Sequence, residues 1–368
     1  MNDDSKNPSA RESGDLLGAL LKNVSRSFYL TLRVLPAGLR EPIGLAYLLA
    51  RAADTVADTE LIAPDRRLEL LLGLRAQING APGNVATEIA GELSAHQSNP
   101  HEQILLNSID PALNLLAQCN PSDRSEIRRV VTTLTEGMEF DLRTFPNETS
   151  GQIAALKNQS ELEQYTYLVA GCVGDFWTRM TIAHEPSMRE WDPIEMSACG
   201  IRFGKALQYT NVLRDVPKDL RIGRCYLPDA MLAAHGLSPA DLLDPRNAAR
   251  ARAVLAELIQ SALNHFEEAR RYLLAIPRRC PRLRLACLWP ILIGLPTLEK
   301  LGANADWLDP AKPSKVSRAE VQRILALSFL AVGSNRLLDV WIDRKMNRVR
   351  KAFGLELNPP LPPQPSTR

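Results

Sequence analysis

Two pairs of aspartates, each pair four residues apart, are the residues best placed to do chemistry in this 368-residue chain. Asp54 and Asp58 lie in Arg51-Ala-Ala-Asp54-Thr-Val-Ala-Asp58, and Asp215 and Asp219 lie in Asn211-Val-Leu-Arg214-Asp215-Val-Pro-Lys218-Asp219. Four residues is just over one helical turn, so each pair puts both carboxylates on one helix face. Like charges at that spacing cost a helix roughly 0.2–0.5 kcal/mol. The chain accepts this cost twice, about 160 residues apart. Hard oxygen ligands without a His or Cys cluster suit Mg²⁺, which bridges a few carboxylates to substrate phosphates. Mn²⁺ suits the same donors. The chemistry this points to is handling of a diphosphate with a divalent cation.

Each pair has basic neighbours. Arg51 precedes Asp54 by one turn, Arg214 adjoins Asp215, Lys218 adjoins Asp219, and Arg221 and Arg224 follow. Guanidinium groups that fork onto phosphate oxygens are the expected companions of such a site. Asn211 stands one turn before Asp215 and offers a neutral oxygen ligand. A competing reading makes these surface Asp–Arg pairs worth under about 1 kcal/mol each. For one DxxxD that reading is the better one; two, each with arginine beside it, shift the balance to function. Tyr165 and Tyr167 sit in a small-residue stretch with Ala170, Gly171 and Gly174, where a helix or an apolar ligand can approach closely. Ser25 and Ser27 flank Arg26 at the start of an apolar run, where a helix cap is the simpler explanation.

The elements that carry these residues read as helical throughout. Apolar residues recur at three and four in Leu16-Leu17-Leu20-Leu21, Leu68-Leu71-Leu72-Leu74 and Val254-Leu255-Leu258-Ile259-Leu263. The stretch from about 318 to 352 repeats this with Val321, Ile324, Leu325, Leu327, Leu330, Leu337 and Val340, and is expected to be a long C-terminal helix. Alternating strand patterns and a GxGxxG after a strand are missing. The expectation is one all-α domain over 15–355, with a polar tail at 1–14 and a Pro-rich tail at 356–368.

Composition narrows the classes. With 45% hydrophobic and 23% charged residues, the chain reads as a globular protein with a substantial core. A net charge of +2 gives no support to nucleic-acid binding. The six scattered cysteines form no CxxC, and the N-terminus is unlike a secretory signal, so a cytoplasmic compartment is expected. The most apolar stretch, around Leu285 to Pro296, is interrupted by Pro290 and Pro296. It falls short of the roughly 18 apolar residues of a membrane span. No transmembrane anchor is expected; transient contact with a membrane surface is left open.

Taken together, five segments resemble the squalene/phytoene synthase family, the head-to-head prenyl transferases. They are Ser25-Arg-Ser-Phe28, Tyr47 through Asp58, Gly137-Met138, Tyr165 through Gly171, and Asn211 through Asp219 with the tail Gly223-Arg-Cys-Tyr-Leu-Pro228. The resemblance spans roughly residues 18 to 350 and comes closest to bacterial-type squalene synthases. It implies an all-α isoprenoid-synthase bundle around a deep apolar cavity with both Asp motifs at its mouth. Mg²⁺ held by Asp54, Asp58, Asp215 and Asp219, with Asn211, would grip the diphosphate of farnesyl diphosphate. Ser25, Ser27, Arg51, Arg214 and Arg224 would share the phosphate load, and Tyr165 matches the family tyrosine near the proton lost as presqualene diphosphate forms.

The resemblance also raises a reductive second step. Lys315 and Arg318 look like the basic element that squalene synthases place near NADPH, with Tyr47 and Arg214 as further contacts and Ser317 as a helix cap. The alternatives are a non-reducing member that stops at presqualene diphosphate, hydroxysqualene, dehydrosqualene or phytoene, and a non-catalytic assembly factor of the same fold. A monomer is expected. Pro217 is expected to kink or end its helix, which would take Asp219 off the face that carries Asp215.

Overall fold

Most of the apolar periodicity becomes buried helix face. Val254, Leu255, Leu258, Ile259 and Leu263 are fully buried, as are Leu71 and Leu74. The computed structural model describes residues 28–145 and 150–356, with side chains from Thr31 onward. Ser25, Ser27, the Leu16–Leu21 run and the two expected tails, except Glu356, lie outside the described residues.

In chain order the helices are α1 (Phe28–Val34), α2 (Ala37–Asp58), α3 (Pro64–Ile78), α4 (Val85–Leu93), α5 (Pro100–Asn107), α6 (Ile109–Gln118) and α7 (Pro121–Thr144). There follow α8 (Gln159–Thr166), α9 (Cys172–His184), α10 (Pro193–Asp219), α11 (Asp229–Ala234), α12 (Arg252–Ala275), α13 (Pro281–Ala303), α14 (Arg318–Ala331) and α15 (Asn335–Phe353). Among the described residues the extended structure is one two-residue parallel ladder, β1 (Ala154–Ala155) with β2 (Arg224–Cys225), in register Ala154 to Arg224. The protein is an all-α bundle.

Local chemistry sets the starts. Asn120, Asn158, Asp192, Ser317 and Ser334 each accept a hydrogen bond from a backbone N–H in the first turn of the helix they precede. Proline occupies the first position of α7, α10 and α13, where its missing N–H costs nothing.

α10 lies at the centre, against α9, α12 and α13, while α2 runs along α7. Glycine makes the central crossing possible. A Cβ on Gly174 would fall 1.8 Å from the Gly200 carbonyl oxygen, and one on Gly204 would fall 2.2 Å from that of Ala170. The small-residue stretch after Tyr165 therefore admits a helix, α10.

Three expectations about breaks are corrected. α10 runs through Pro217 to Asp219. A proline this near the end removes a single hydrogen bond, its ring is buried, and its carbonyl accepts from the Arg221 guanidinium. α13 likewise runs through Pro290 and Pro296 as a 23-residue helix. By length and composition α13 could cross a membrane, yet 78% of its apolar window is buried inside the protein, so here it is a core helix. The C-terminal stretch is two helices, α14 and α15, broken at Val332–Ser334. Its buried positions include Ile324, Leu338, Ile342, Met346 and Val349, whereas Leu327, Leu330, Leu337 and Val340 are exposed.

Candidate active site

The two aspartate pairs sit in equivalent places. Asp54 and Asp58 occupy the last turn of α2, and Asp215 and Asp219 the last turn of α10. All four line one cavity of about 610 Å³. Tyr47, Arg51, Tyr165, Asn211 and Arg224 line it too, and Leu134, Met138, Val169 and Val212 give it apolar walls. Lys218, beside Asp219, points into solvent.

The arginines hold the carboxylates individually. Arg51 is ion-paired with Asp54, and its other Nη lies 3.4 Å from Glu102. Arg214 is not on the cavity wall, but its Nε donates to Asp215 at 2.8 Å. Arg224 reaches from β2 to both sides, 3.9 Å from Asp58 and 4.0 Å from Asp141. Burial pushes Asp54 up to about 6, helped by the charge of Asp58 and opposed by Arg51. Asp219 is pushed up to about 7, again by burial first and then by its neighbour Asp215. Each pair thus contains one carboxylate that resists ionising, because burial and its like-charged neighbour outweigh the nearby cations.

Among the described residues, no three His, Cys, Asp or Glu side chains converge to chelating distance. The donors around the cavity are still of one kind, oxygens, with five carboxylates and the Gln208 and Asn211 amides among them. Hard oxygens, two like-charged pairs and raised carboxylates fit a hard divalent cation.

The fifth carboxylate of the cavity, Asp141 on α7, was not singled out by the sequence. Its Oδ2 accepts hydrogen bonds from Tyr165 at 3.3 Å and Tyr226 at 3.1 Å. Its Oδ1 is buried with no protein partner. Burial pushes Asp141 up to about 7 against the pull of Arg224 and the Tyr226 hydroxyl. The two phenol rings stack at 4.7 Å, and Phe145 meets Tyr226 edge-on at 4.9 Å. Both phenols are raised well above their usual range, first by burial and then by the Asp141 charge. The result is a proton-bearing cluster in a dry wall, a relay in form.

Glycine again sets the distance. A Cβ on Gly137 would lie 2.6 Å from Val169, so α7 can approach the segment after Tyr165 only because residue 137 has no side chain. That segment, Tyr167–Gly171, is a π-turn, a form frequent at functional sites. α8 is pinned by Glu163, which accepts from Lys205 at 2.6 Å, Tyr209 at 2.6 Å and His265 at 3.1 Å. Burial opposes the Glu163 charge, yet those donors hold it well below the usual carboxylate range.

Lys315 and Arg318 fall elsewhere. Both are exposed at the start of α14, and neither lines the cavity. Ser317 caps α14 by accepting from Glu320 N–H. The signals that could have found the missed residues were faint. Asp141 follows Gly137 by one turn, and Tyr226 lies inside the Gly223–Pro228 tail.

Comparison with known proteins agrees with this architecture. Residues 21–322 match the sequence model of the squalene/phytoene synthase family. A bifunctional lycopene cyclase/phytoene synthase of Arthroderma gypseum is 32% identical over 238 residues, 62% of this chain and 37% of that protein. The squalene synthase of Schizosaccharomyces pombe is 25% identical over 289 residues, 78% of this chain and 59% of that protein. The chain spans less than half the length of the first curated relatives it matches. Among solved structures, a ligand complex of TcSQS superposes with a TM-score of 0.70 at 20% identity, covering 93% of this chain and 99% of that one. A dehydrosqualene synthase superposes with a TM-score of 0.62 at 21% identity, covering 87% and 96%. At those identities the structural likeness speaks for the fold.

Proposed function

The chain belongs to the squalene/phytoene synthase family, and from that premise we propose that it joins two farnesyl diphosphates head to head through presqualene diphosphate and reduces the product to squalene with NADPH. The observation that carries the reading is one cavity lined by both aspartate pairs, two arginines and the Tyr165–Asp141–Tyr226 cluster.

Asp54, Asp58, Asp215 and Asp219, with Asn211, would hold Mg²⁺. When bound, Mg²⁺ supplies the charge neutralisation that makes diphosphate a leaving group. Arg51 and Arg224 face the same space and take up negative charge as it builds on the departing oxygens. Arg214 keeps Asp215 in place through its paired hydrogen bonds. Leu134, Met138, Val169 and Val212 keep water from the allylic cation. The double bond of the second farnesyl group attacks that cation and forms a carbon–carbon bond. Closing the cyclopropane then breaks a C–H bond, whose electron pair forms the last ring bond. Tyr165, hydrogen-bonded to Asp141, would receive that proton while its own phenolic proton passes to Asp141.

A second reading, the non-reducing condensation, is favoured by the place of Lys315 and Arg318 off the cavity wall. Product analysis separates the two. With farnesyl diphosphate and Mg²⁺, squalene is expected only when NADPH is present, and Lys315→Ala/Arg318→Ala should raise the KM for NADPH without slowing presqualene diphosphate formation. A product profile indifferent to NADPH selects the second reading, and no C30 product under either condition refutes both.

A further inference from the structure

Nine large apolar side chains are exposed among the described residues, and five of them fall between residues 327 and 340. Leu327 is 41% exposed, Phe329 61%, Leu330 79%, Leu337 54% and Val340 40%. They flank the corner where α14 turns into α15, so Phe329, Leu330 and Leu337 lie within nine residues of chain. Scattered exposed leucines need no explanation, but a concentration of this kind marks a contact surface. The corner is firmly based. Val332 packs on Leu285 and Trp289 of α13, and the Trp289 indole N–H donates to Ser328 Oγ at 2.9 Å.

Charge says what the surface meets. From 318 to 351 the exposed charged residues are all basic: Arg318, Arg323, Arg336, Arg344, Arg348 and Lys351. The three acids of the stretch are half-buried and turned inward, Glu320 to Lys300 and Asp339 and Asp343 to Arg270. On α14, Arg323, Leu327 and Leu330 share a stripe at spacings of four and three. On α15, Leu337, Val340, Arg344 and Arg348 do the same at three, four and four. Apolar side chains bordered by long cationic ones match the boundary between acyl chains and anionic headgroups. A second copy is a poorer occupant, because a two-fold contact would set the same arginines against one another.

We propose that the α14–α15 corner docks on an anionic lipid bilayer, with Phe329, Leu330 and Leu337 entering the interface and Arg344 and Arg348 engaging headgroup phosphates. The proposal goes beyond the proposed reaction and is read without substrate, so either can fail alone. The test is co-sedimentation of the full chain with vesicles of phosphatidylcholine alone or mixed with phosphatidylglycerol. Binding to the anionic vesicles should exceed binding to the neutral ones by about tenfold and weaken with salt. Phe329→Ser/Leu330→Ser should lower binding to anionic vesicles by about tenfold or more with an unchanged circular dichroism spectrum and Tm. Arg344→Gln/Arg348→Gln should lower it severalfold and flatten the salt dependence, which loss of apolar contact would not do. No binding by the parent chain, or equal binding by the serine variant, overturns the proposal. So does a concentration-dependent dimer in sedimentation velocity that the serine variant abolishes, which would assign the face to a second copy. Binding that appears only after removal of residues 1–27 would assign it to that segment instead.

Discussion

The two aspartate pairs occupy the same kind of place and are neutralised differently. Each fills the last turn of a long helix, where the macrodipole is negative and carboxylates are disfavoured by about 0.3–1 kcal/mol each. Mutual repulsion at four residues adds to that cost. Evolution of a helix end for stability alone would put lysine or arginine there. The α10 pair has cations within its own segment, Arg214 bonded to Asp215 and Lys218 and Arg224 acting on Asp219. The α2 pair has Arg51 on its own helix and Arg224 from β2. One arginine therefore serves both sides of the cavity, and the α2 pair depends on a residue that the other region supplies.

The largest expected effect tests the equivalence of the pairs. Asp54→Ala and Asp215→Ala should each lower product formation from farnesyl diphosphate by a thousandfold or more. Each should leave Tm unchanged or slightly higher, because a like-charge repulsion at a helix C-terminus is removed. Substantial turnover in either variant would break the symmetry of the two sites. A smaller effect, about a hundredfold in kcat/KM, is expected for Arg224→Gln. Arg214→Gln should cost less, since Arg214 lies off the cavity wall and acts through Asp215. The reverse order in the same assay would show that Arg224 does not bridge the regions.

The sequence carried the pairs, their arginines and Tyr165, because chemistry at helical spacing is written locally. The all-α class was legible for the same reason. Asp141 was not, since one aspartate on a long amphipathic helix gains meaning only when Gly137 lets α7 close on the segment after Tyr165. Pro217, Pro290 and Pro296 read as breaks, yet packing and an Arg221 side-chain bond let α10 and α13 run through them. At the C-terminus the apolar spacing showed which residues share a face. It could not show that Leu327, Leu330, Leu337 and Val340 would have no helix over them, because a covering partner is a tertiary fact. The basic pair Lys315 and Arg318 was legible as a helix start, and Ser317 does cap it; nothing local placed that start relative to the cavity.

Asp141 supplies the smallest and sharpest test, because it belongs to neither pair but feels both regions, through the Asp58 charge on one side and Arg224 on the other. Burial raises it from 3.8 to about 7. Between those values the folded protein keeps a proton that the unfolded chain releases, so the metal-free protein loses stability as pH rises from about 4 to about 7. Thermal unfolding of the metal-free chain should therefore show a Tm lower at pH 7.5 than at pH 5 by about a few degrees. Asp141→Asn should remove Asp141's part of that slope, because an amide does not titrate. The same substitution removes the acceptor that Tyr165 and Tyr226 share. Presqualene diphosphate formation by the parent enzyme should rise with pH as Asp141 ionises, and in Asp141→Asn it should be slower and lack that rise. An unchanged pH–rate profile in Asp141→Asn would reduce Asp141 to a structural anchor for the two phenols and leave proton removal to a group outside the α7 wall.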